Sequence, residues 1–387
     1  MKKNKILLTG GGIGSLLFAS SLFVACSCSK NSDKGVEHPK FYTPDDIAFV
    51  PDAGAIDDKS FNQQAWEALK KIHKNDKLKR ENNVFQPKDT NAKTILETYY
   101  RVEGAGKKIV FANGFFHTDA ILKYNKAKDK EGVSIDKRLK FFLADDDYFA
   151  LEGTEKHTNV VSFKYDIIPA AHQAGVLVGE YFKRKGHKNT KIGFFGGAEP
   201  DAVTDFIKGF LAGIETFNKN EDNNSSYRVK VATPSKFKEL LQTGFDASGG
   251  KDETKALIAD GANVILPVAG PQFRNVITEI SNLEESIKNK TKIIGVDVDQ
   301  ELSVKENEKE YYLTSILKNI KDTFYKIAFH IFINKIFDEK LQSDNFKEFK
   351  KSFLDDKTLL WGKTHYLTVD QEMTGIADIK EKKAWKG

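Results

Sequence analysis

Short apolar segments rich in β-branched and aromatic residues alternate with longer amphipathic segments along most of this chain. Near-continuous apolar strands that alternate with helices are typical of parallel sheets covered by helices on both faces. The pattern therefore predicts an α/β protein. The predicted strands are "DIAFV" (46–50), "KKIVFA" (107–112), "LKFFLA" (139–144), "NVVSF" (159–163), "KIGFF" (191–195), "RVKVA" (228–232), "NVILPV" (263–268), "KIIGV" (292–296) and "YYLTSIL" (311–317).

The number of predicted strands exceeds what one doubly wound sheet of ordinary size would hold. We therefore expect two similar lobes, which divide near residues 163–166. Ligands of open α/β sheets bind beyond the carboxyl ends of the strands, and in a two-lobed protein those ends can face each other across a cleft. Apolar residues at helical spacing predict helices at 61–73, 167–185, 202–218, 254–260, 272–287 and 320–337.

The N-terminal segment has the layout of an exported precursor. "MKKNKILLTGGGIGSLLFASSLFVAC" places lysines before an apolar stretch that ends in a small residue and Cys26. This layout predicts a lipoprotein signal peptide at 1–25, with Cys26 as the lipidated first residue of the mature chain. Residues 26–41 are polar and are predicted to form a flexible tether. The predicted location is the extracytoplasmic face of the cell membrane, to which the lipid anchors the protein.

Composition excludes several other classes of protein. The only cysteines, Cys26 and Cys28, lie at this processed edge, so we expect neither a structural disulfide nor a cysteine metal site in the folded body. Lysine and arginine number 60 against 55 acids, and the basic runs are interleaved with acids, so we expect no nucleic-acid partner. No later segment has the apolar length of a membrane-spanning helix. No histidine pair has catalytic metal-ligand spacing, and we expect no metal, no cofactor and no enzyme.

Polar and aromatic residues recur where the predicted strands end. Asp52 follows the first strand, the "NGFF" run (113–116) the second, the "DDD" run (145–147) the third, and "DVDQ" (297–300) the strand "KIIGV". Lys318 closes the last strand. Ionised groups resist burial unless they are paired or hydrogen-bonded. Their repeated placement at strand ends therefore indicates a cleft for a polar ligand.

Some residues of this set have a simpler interpretation. Asp57, Asp58 and Ser60 stand just before a predicted helix, where acidic and hydroxyl side chains commonly cap the first backbone N–H groups. We therefore predict capping rather than ligand contact for these three residues. Phe61, taken alone, would be a core residue.

Several segments, taken in order, resemble the basic membrane protein (Bmp) family. They are "DAGAIDDKSFNQQAWEAL", "GFFGGAEPDAVTDFIKGFLAGI", "TGFDASGGKDETKALIADGANVILPVAG", "GVDVDQ" and "LTSILKN", which together extend from about residue 49 to 318. Members of that family are lipid-anchored substrate-binding proteins of ABC importers, including purine nucleoside receptors. The resemblance implies a type I periplasmic-binding-protein-like fold. It places residues 42–163 and about 299–335 in the first lobe, and 164–298 and about 336–387 in the second.

The resemblance also implies a set of ligand-binding residues. Two aromatic rings would enclose a flat base, and acidic residues would accept hydrogen bonds from ribose hydroxyl and base N–H groups. Whether Asp145 or Asp146 occupies the family's acidic position stays open. The implied ligand residues are Asp52, Phe61, Asn62, Asp145, Phe245, Gly270, Asp297 and Lys318.

The implied function is capture of a purine nucleoside of the guanosine, adenosine or inosine class and its delivery to an ABC transporter permease. Carboxylates would repel a phosphate, so a nucleoside is expected rather than a nucleotide. A surface adhesin on the same fold and a nucleoside hydrolase remain the alternatives, because a fold does not by itself fix a function.

Overall fold

A computed structural model gives the architecture of the chain. It describes residues 43–72, 78–220, 226–233, 240–325, 359–361, 366–369 and 375–376. Residue 26 and the predicted signal peptide and tether lie outside these residues. None of the described helices is both long enough and apolar enough to cross a membrane.

All the predicted strands are present, and three short strands near the C-terminus were not predicted. The predicted strand at 228–232 is reduced to a pair of residues. The strands are β1 (Ile47–Pro51), β2 (Ile109–Asn113), β3 (Lys140–Ala144), β4 (Val160–Tyr165), β5 (Lys191–Gly196), β6 (Lys230–Val231), β7 (Val264–Val268), β8 (Lys292–Asp297), β9 (Tyr312–Leu317), β10 (Leu359–Trp361), β11 (Tyr366–Val369) and β12 (Gly375–Ile376).

The predicted helices are also present within the described residues, with two differences. The segment predicted as one helix at 272–287 is two helices, and α2, α3 and α4 were not predicted. Helix 320–337 is described only over 320–325. The other helices are α1 (Phe61–Ile72), α2 (Arg80–Asn83), α3 (Ala92–Gly104), α4 (His117–Lys130), α5 (Ile168–Arg184), α6 (Asp201–Lys219), α7 (Lys251–Ala259), α8 (Phe273–Ser281) and α9 (Glu285–Lys288).

The strands form two sheets, which confirms the predicted α/β architecture of two mostly parallel sheets flanked by helices. The first sheet has the order β1-β2-β3-β4-β11-β10 and the second the order β12-β9-β8-β7-β5-β6. Only the outer pairs β10–β11 and β9–β12 are antiparallel. The strands that lead to the site are therefore parallel and end at the same edge of each sheet.

Both faces of each sheet are covered, which explains the near-continuous apolar strands. Phe49, Phe111 and Phe142 are adjacent in register across β1, β2 and β3, and they belong to the core on one face. Val50 and Ala112, which alternate with them, belong to the core on the other face. Alternate side chains of a strand point to opposite faces, so a strand with both faces buried is apolar throughout.

The C-terminal segment from residue 299 onward is distributed between the sheets differently from the expected lobe boundaries. Strand β9, within the segment 299–335 expected in the first lobe, lies in the second sheet beside β8. Strands β10 and β11, within the segment 336–387 expected in the second lobe, lie in the first sheet, where β11 pairs with β4. The cause is local. Because only 3₁₀ turns separate β8 from β9, the chain adds β9 to the second sheet before it returns to the first lobe.

Candidate functional site

A cavity lies between the carboxyl ends of strands from both sheets. Asp52 directly follows β1, and Asp145 directly follows β3 of the same sheet. From the second sheet, Asp297 ends β8 and Lys318 directly follows β9. The empty space between the lining residues, including the open mouth, is about 610 Å³.

The structure brings together all the residues that the sequence predicted as ligand contacts. Each of them lines this cavity. Asp145, and not Asp146, is the acidic residue that lines it; the Asp146 carboxylate instead accepts a hydrogen bond from the Thr118 hydroxyl. The predicted residues in the lining are Asp52, Phe61, Asn62, Asp145, Phe245, Gly270, Asp297 and Lys318.

Asp52 is a buried carboxylate held by the main chain. Its oxygens accept hydrogen bonds from the backbone N–H groups of Ala53 and of Phe116, the latter at 3.4 Å. Gly114 packs so closely against the Asp52 carboxylate that a Cβ atom there would overlap it, and Gly114 has a φ of 128°. Burial raises the pKa of Asp52 to about 7, and the nearby Asp145 charge adds to that increase while the backbone N–H groups oppose it.

Asp145, Asp297 and Lys318 form a buried ionic cluster. Lys318 Nζ lies 2.8 Å from Asp145 Oδ2 and 3.6 Å from Asp297 Oδ1. Burial raises the pKa of Asp145 to about 6 although the Lys318 charge opposes this, and it raises the pKa of Asp297 as well. Burial alone would lower the pKa of Lys318, but the two carboxylates outweigh it, so the ammonium stays charged.

The backbone at both of these carboxylates is unusual. Asp145 has a φ of 69° and Asp297 a φ of 66°, in the left-handed region that non-glycine residues seldom occupy. Such a conformation costs on the order of 1 kcal/mol or more and commonly occurs where function requires it. The same irregularity thus occurs at the ends of β3 and β8, one in each sheet.

Asn62 and Asp58 organise the start of α1 beside the cavity. Asn62 Nδ2 donates to Ala53 O at 2.7 Å, and Asn62 Oδ1 accepts from Asn113 Nδ2 at 2.9 Å.

Asp58 accepts from the backbone N–H groups of residues 60, 62 and 63, which confirms its predicted capping role, and it also lines the cavity. The prediction was wrong for Ser60, whose buried hydroxyl has no hydrogen-bond partner, while Asp57 pairs with Arg80 at 3.8 Å.

Aromatic rings from both lobes line the remaining wall. Phe61 starts α1 and packs against the first core, whereas Phe245 packs against the core of the second lobe. The Phe245 ring lies edge-to-face with Phe115 and Phe116 of the first lobe, at centroid distances of 6.1 and 6.0 Å. These contacts join the two lobes at the cavity.

Sequence reasoning did not assign Phe116 and Phe206 to the site. Both rings line the cavity, and the centroid of the Phe206 ring lies 4.9 Å from Lys318 Nζ. Phe116 stands in the "NGFF" run at a strand end, which was a usable signal. Phe206 lies inside the apolar face of α6 and carries no signal that separates it from a core residue.

Comparison with known proteins agrees with this geometry. Residues 46–343 match the family described as ABC transporter substrate-binding protein, PnrA-like, which is the Bmp family. The chain belongs to this family. It is 28% identical over 322 residues to the ABC transporter nucleoside-binding protein BmpA of Lactococcus lactis, covering 81% of this chain and 82% of that protein. It is 24% identical over 353 residues to basic membrane protein D of Borreliella burgdorferi, covering 91% and 82% respectively.

Solved structures share the fold. An ABC transporter solute-binding protein from Aeropyrum pernix superposes with a TM-score of 0.58 at 17% identity, over 86% of this chain and 76% of that one. A solute-binding protein from Burkholderia graminis, in complex with D-arabinose, superposes with a TM-score of 0.54 at 12% identity, over 87% and 96%. At these identities the similarity establishes the periplasmic-binding-protein-like fold alone.

The buried Asp52 carboxylate leads to a pH-dependent prediction. Its pKa rises from 3.8 to about 7 on folding, so the folded protein binds its proton more tightly, and Asp52 stabilises the fold less as pH rises through that window. Asp52→Asn cannot ionise. We expect it to raise the Tm of the ligand-free protein by a few degrees at about pH 8, with the gain shrinking toward about pH 5. Scanning calorimetry across pH measures this.

Asp246→Asn is the control for this prediction, because Asp246 is exposed and its replacement should not change the pH dependence of Tm. A gain from Asp52→Asn that is equal at all pH values would mean that the buried carboxylate is not the cause.

Proposed function

We propose that this family member is a lipid-anchored receptor that binds a purine nucleoside between its lobes and delivers it to an ABC transporter permease. The observation that supports this most strongly is the combination of aromatic rings and buried carboxylates in one cavity. Flat rings suit a base, and carboxylates accept hydrogen bonds from hydroxyl and N–H groups. The Lactococcus relative, named as a nucleoside-binding protein, supports the same assignment.

Each predicted residue except Lys318 has a direct role at the ligand in this proposal. Phe61 and Phe245, from different lobes, enclose the base. Asp52, Asp145 and Asp297 accept hydrogen bonds from the sugar and the base. The Asn62 amide oxygen accepts from Asn113 and one of its two N–H groups donates to Ala53 O, so the second N–H group is the one that would serve the ligand. Gly270 lines the cavity with a φ of 54°, in the left-handed region that favours glycine, and so brings the main chain to the ligand.

The charge of the lining favours an uncharged ligand. Among the described residues that line the cavity, the acids are Asp52, Asp58, Asp145 and Asp297, and the only cation is Lys318. Repulsion between like charges strengthens as water is excluded. A phosphate would therefore meet an unfavourable field, whereas hydroxyl and N–H donors would replace the water that the carboxylates lose on burial.

Two further parts of the proposal concern the membrane. Cys26, outside the described residues, would carry the lipid that holds the protein at the extracytoplasmic face. The closed, ligand-bound form would then be presented to the permease, the partner with which substrate-binding proteins of ABC importers work.

Mass spectrometry of the small molecules released on denaturing the purified protein tests the proposed function directly. We expect an intact purine nucleoside. Free base together with ribose would indicate a hydrolase, and the absence of any nucleoside, followed by failure to bind added nucleosides, would contradict the proposal and favour an adhesin.

The aromatic rings provide the second test. Phe61→Ala and Phe245→Ala should each weaken binding of the nucleoside by about 1–3 kcal/mol, the contribution of base stacking on one ring. Isothermal titration calorimetry measures the affinity. Phe85→Ala is the matched control, because Phe85 is also half-buried but lies outside the cavity lining. Unchanged affinity in both cavity variants, with a lowered Tm, would assign both rings to the core.

Selectivity provides the third test. Guanosine, adenosine or inosine should raise the Tm of the protein by ligand linkage, whereas the 5′-monophosphates, free ribose and free base should raise it much less. Asp297→Asn keeps the size of the side chain but removes its charge. It should weaken nucleoside binding and reduce the discrimination against the monophosphate.

The exposed acid at position 246 again supplies the control: Asp246→Asn should leave the selectivity unchanged, because water screens its charge. Equal affinity of the unaltered protein for nucleosides and monophosphates would contradict the role assigned to the carboxylates.

A further inference from the structure

The ammonium group of Lys318 is surrounded by groups of the protein itself. Its Nζ atom donates a hydrogen bond to Asp145 Oδ2 at 2.8 Å and to the carbonyl oxygen of Ala202 at 3.3 Å, and it lies 3.6 Å from Asp297 Oδ1. A lysine ammonium has three N–H donors. Two of these donors therefore have a hydrogen-bond acceptor within the protein, and the ammonium also forms an ion pair with the Asp297 carboxylate.

The partners of Lys318 come from both lobes. Asp145 follows a strand of the first sheet, whereas Asp297 and Lys318 itself belong to the second sheet. Lys318 also stands where the chain crosses back, because Ile320 and Phe324 of the next helix pack in the core of the first lobe. The ammonium thus joins a carboxylate of one lobe to a carboxylate of the other at the crossing point.

We propose that Lys318 is a positioning residue: it holds Asp145 and Asp297 ionised and close together, so that these two carboxylates can accept hydrogen bonds from the nucleoside. This inference rests on the proposed function for the nature of the ligand. The position of the ammonium and the identity of its partners do not depend on that ligand.

The charges around the cluster show why a cation is needed there. Asp52 and Asp146 act electrostatically on Asp145, and Asp58 belongs to the same cavity. The centroid of the Tyr165 ring lies 5.7 Å from Lys318 Nζ. Tyr165 stays neutral because burial holds its pKa well above the usual range. Phe61 and Phe206 provide only ring faces. Lys318 is therefore the only positive charge among the described residues that line the cavity, and without it Asp145 and Asp297 would face like charges alone.

Lys318→Met tests the proposal, because it keeps the length of the side chain and removes the charge. Both carboxylates should then hold their protons to higher pH, so fewer acceptors remain at neutral pH. We expect nucleoside affinity to fall about tenfold or more at pH 7 and to recover as the pH is raised toward 9, since one pKa unit corresponds to a tenfold change in ionisation. Titration calorimetry at a series of pH values measures this.

In the unaltered protein, nucleoside affinity should be lost at a lower pH than in Lys318→Met. The pKa of Asp145 is about 6, so affinity that depends on its ionised form is present above that pH and is lost as pH falls through it. A purely structural loss in Lys318→Met would instead lower affinity by the same factor at every pH. Lost affinity that does not recover at high pH would contradict the proposal.

The ionisation of the carboxylates can also be followed without any ligand. In protein labelled with ¹³C at the aspartate side-chain carboxyl carbons, Lys318→Met should move the titration midpoints of Asp145 and Asp297 to higher pH. Resonances are assigned with Asp145→Asn and Asp297→Asn. Unchanged midpoints would overturn the role of Lys318, whereas failure of the unaltered protein to bind nucleosides would overturn the proposed function alone.

A second lysine that bridges the lobes supplies the matched control. Lys164, on β4 of the first sheet, pairs with Asp201 at 3.0 Å and Asp205 at 3.6 Å on α6. It does not line the cavity. Lys164→Met should leave the pH dependence of affinity and the midpoints of Asp145 and Asp297 unchanged. An equal effect of both variants would mean that bridging the lobes, and not positioning the carboxylates, is what matters.

The double variant Lys318→Met/Asp145→Asn covers the case in which Lys318→Met folds poorly. It removes the buried charge together with its partner, so it should recover the Tm lost by the single variant. If Lys318 acts through Asp145 as well as Asp297, only the part that acts through Asp297 should add to the effect of Asp145→Asn, so the double variant should lose less affinity than the product of the two single effects. Additive effects would contradict the proposal.

Discussion

One buried ammonium among several carboxylates sets the chemistry of this cavity. Lys318 offsets Asp145 and Asp297 at the boundary between the lobes, while within the described part of the chain Asp52 is bonded by backbone N–H groups alone. Burying charges is costly, and removal of one partner from a buried pair leaves an uncompensated charge. The lining therefore keeps an excess of acceptors in a region of low solvent access. Such a surface is complementary to an uncharged molecule with several hydroxyl and N–H donors.

The fold explains how these groups come together. Asp52 and Asp145 follow parallel strands of the first sheet, and Asp297 and Lys318 end parallel strands of the second. Parallel strands end at one edge, so each sheet collects its polar strand-end residues there, and the chain crossings turn the two edges toward one cavity. The left-handed backbone at Asp145 and Asp297 occurs at equivalent places, which indicates that both lobes use the same local device to place a carboxylate.

Much of this could be read from the sequence, and the failures have identifiable causes. Apolar runs with two buried faces revealed the strands β1 to β9, and the polar residues directly after them revealed the site. Helices α3 and α4 were not predicted because charged residues obscure their apolar stripes. Phe206 was not predicted because a ring at a cavity wall and a ring in a core have the same spacing on a helix. The lobe of β9 was misjudged because sheet membership depends on long-range pairing, which no local pattern encodes.

Two opposing effects at the lobe boundary would govern closure in the proposed receptor. The Lys318–Asp145 ion pair and the contacts of Phe245 with Phe115 and Phe116 join the lobes and favour the closed form. Further burial of Asp52, whose carboxylate has no cation among its described hydrogen-bond partners, would oppose it. A ligand shifts such an equilibrium only by its difference in affinity for the two forms. A donor group that reaches Asp52 would replace the missing water in the closed form alone, so the least compensated carboxylate is the one through which a ligand would favour closure most.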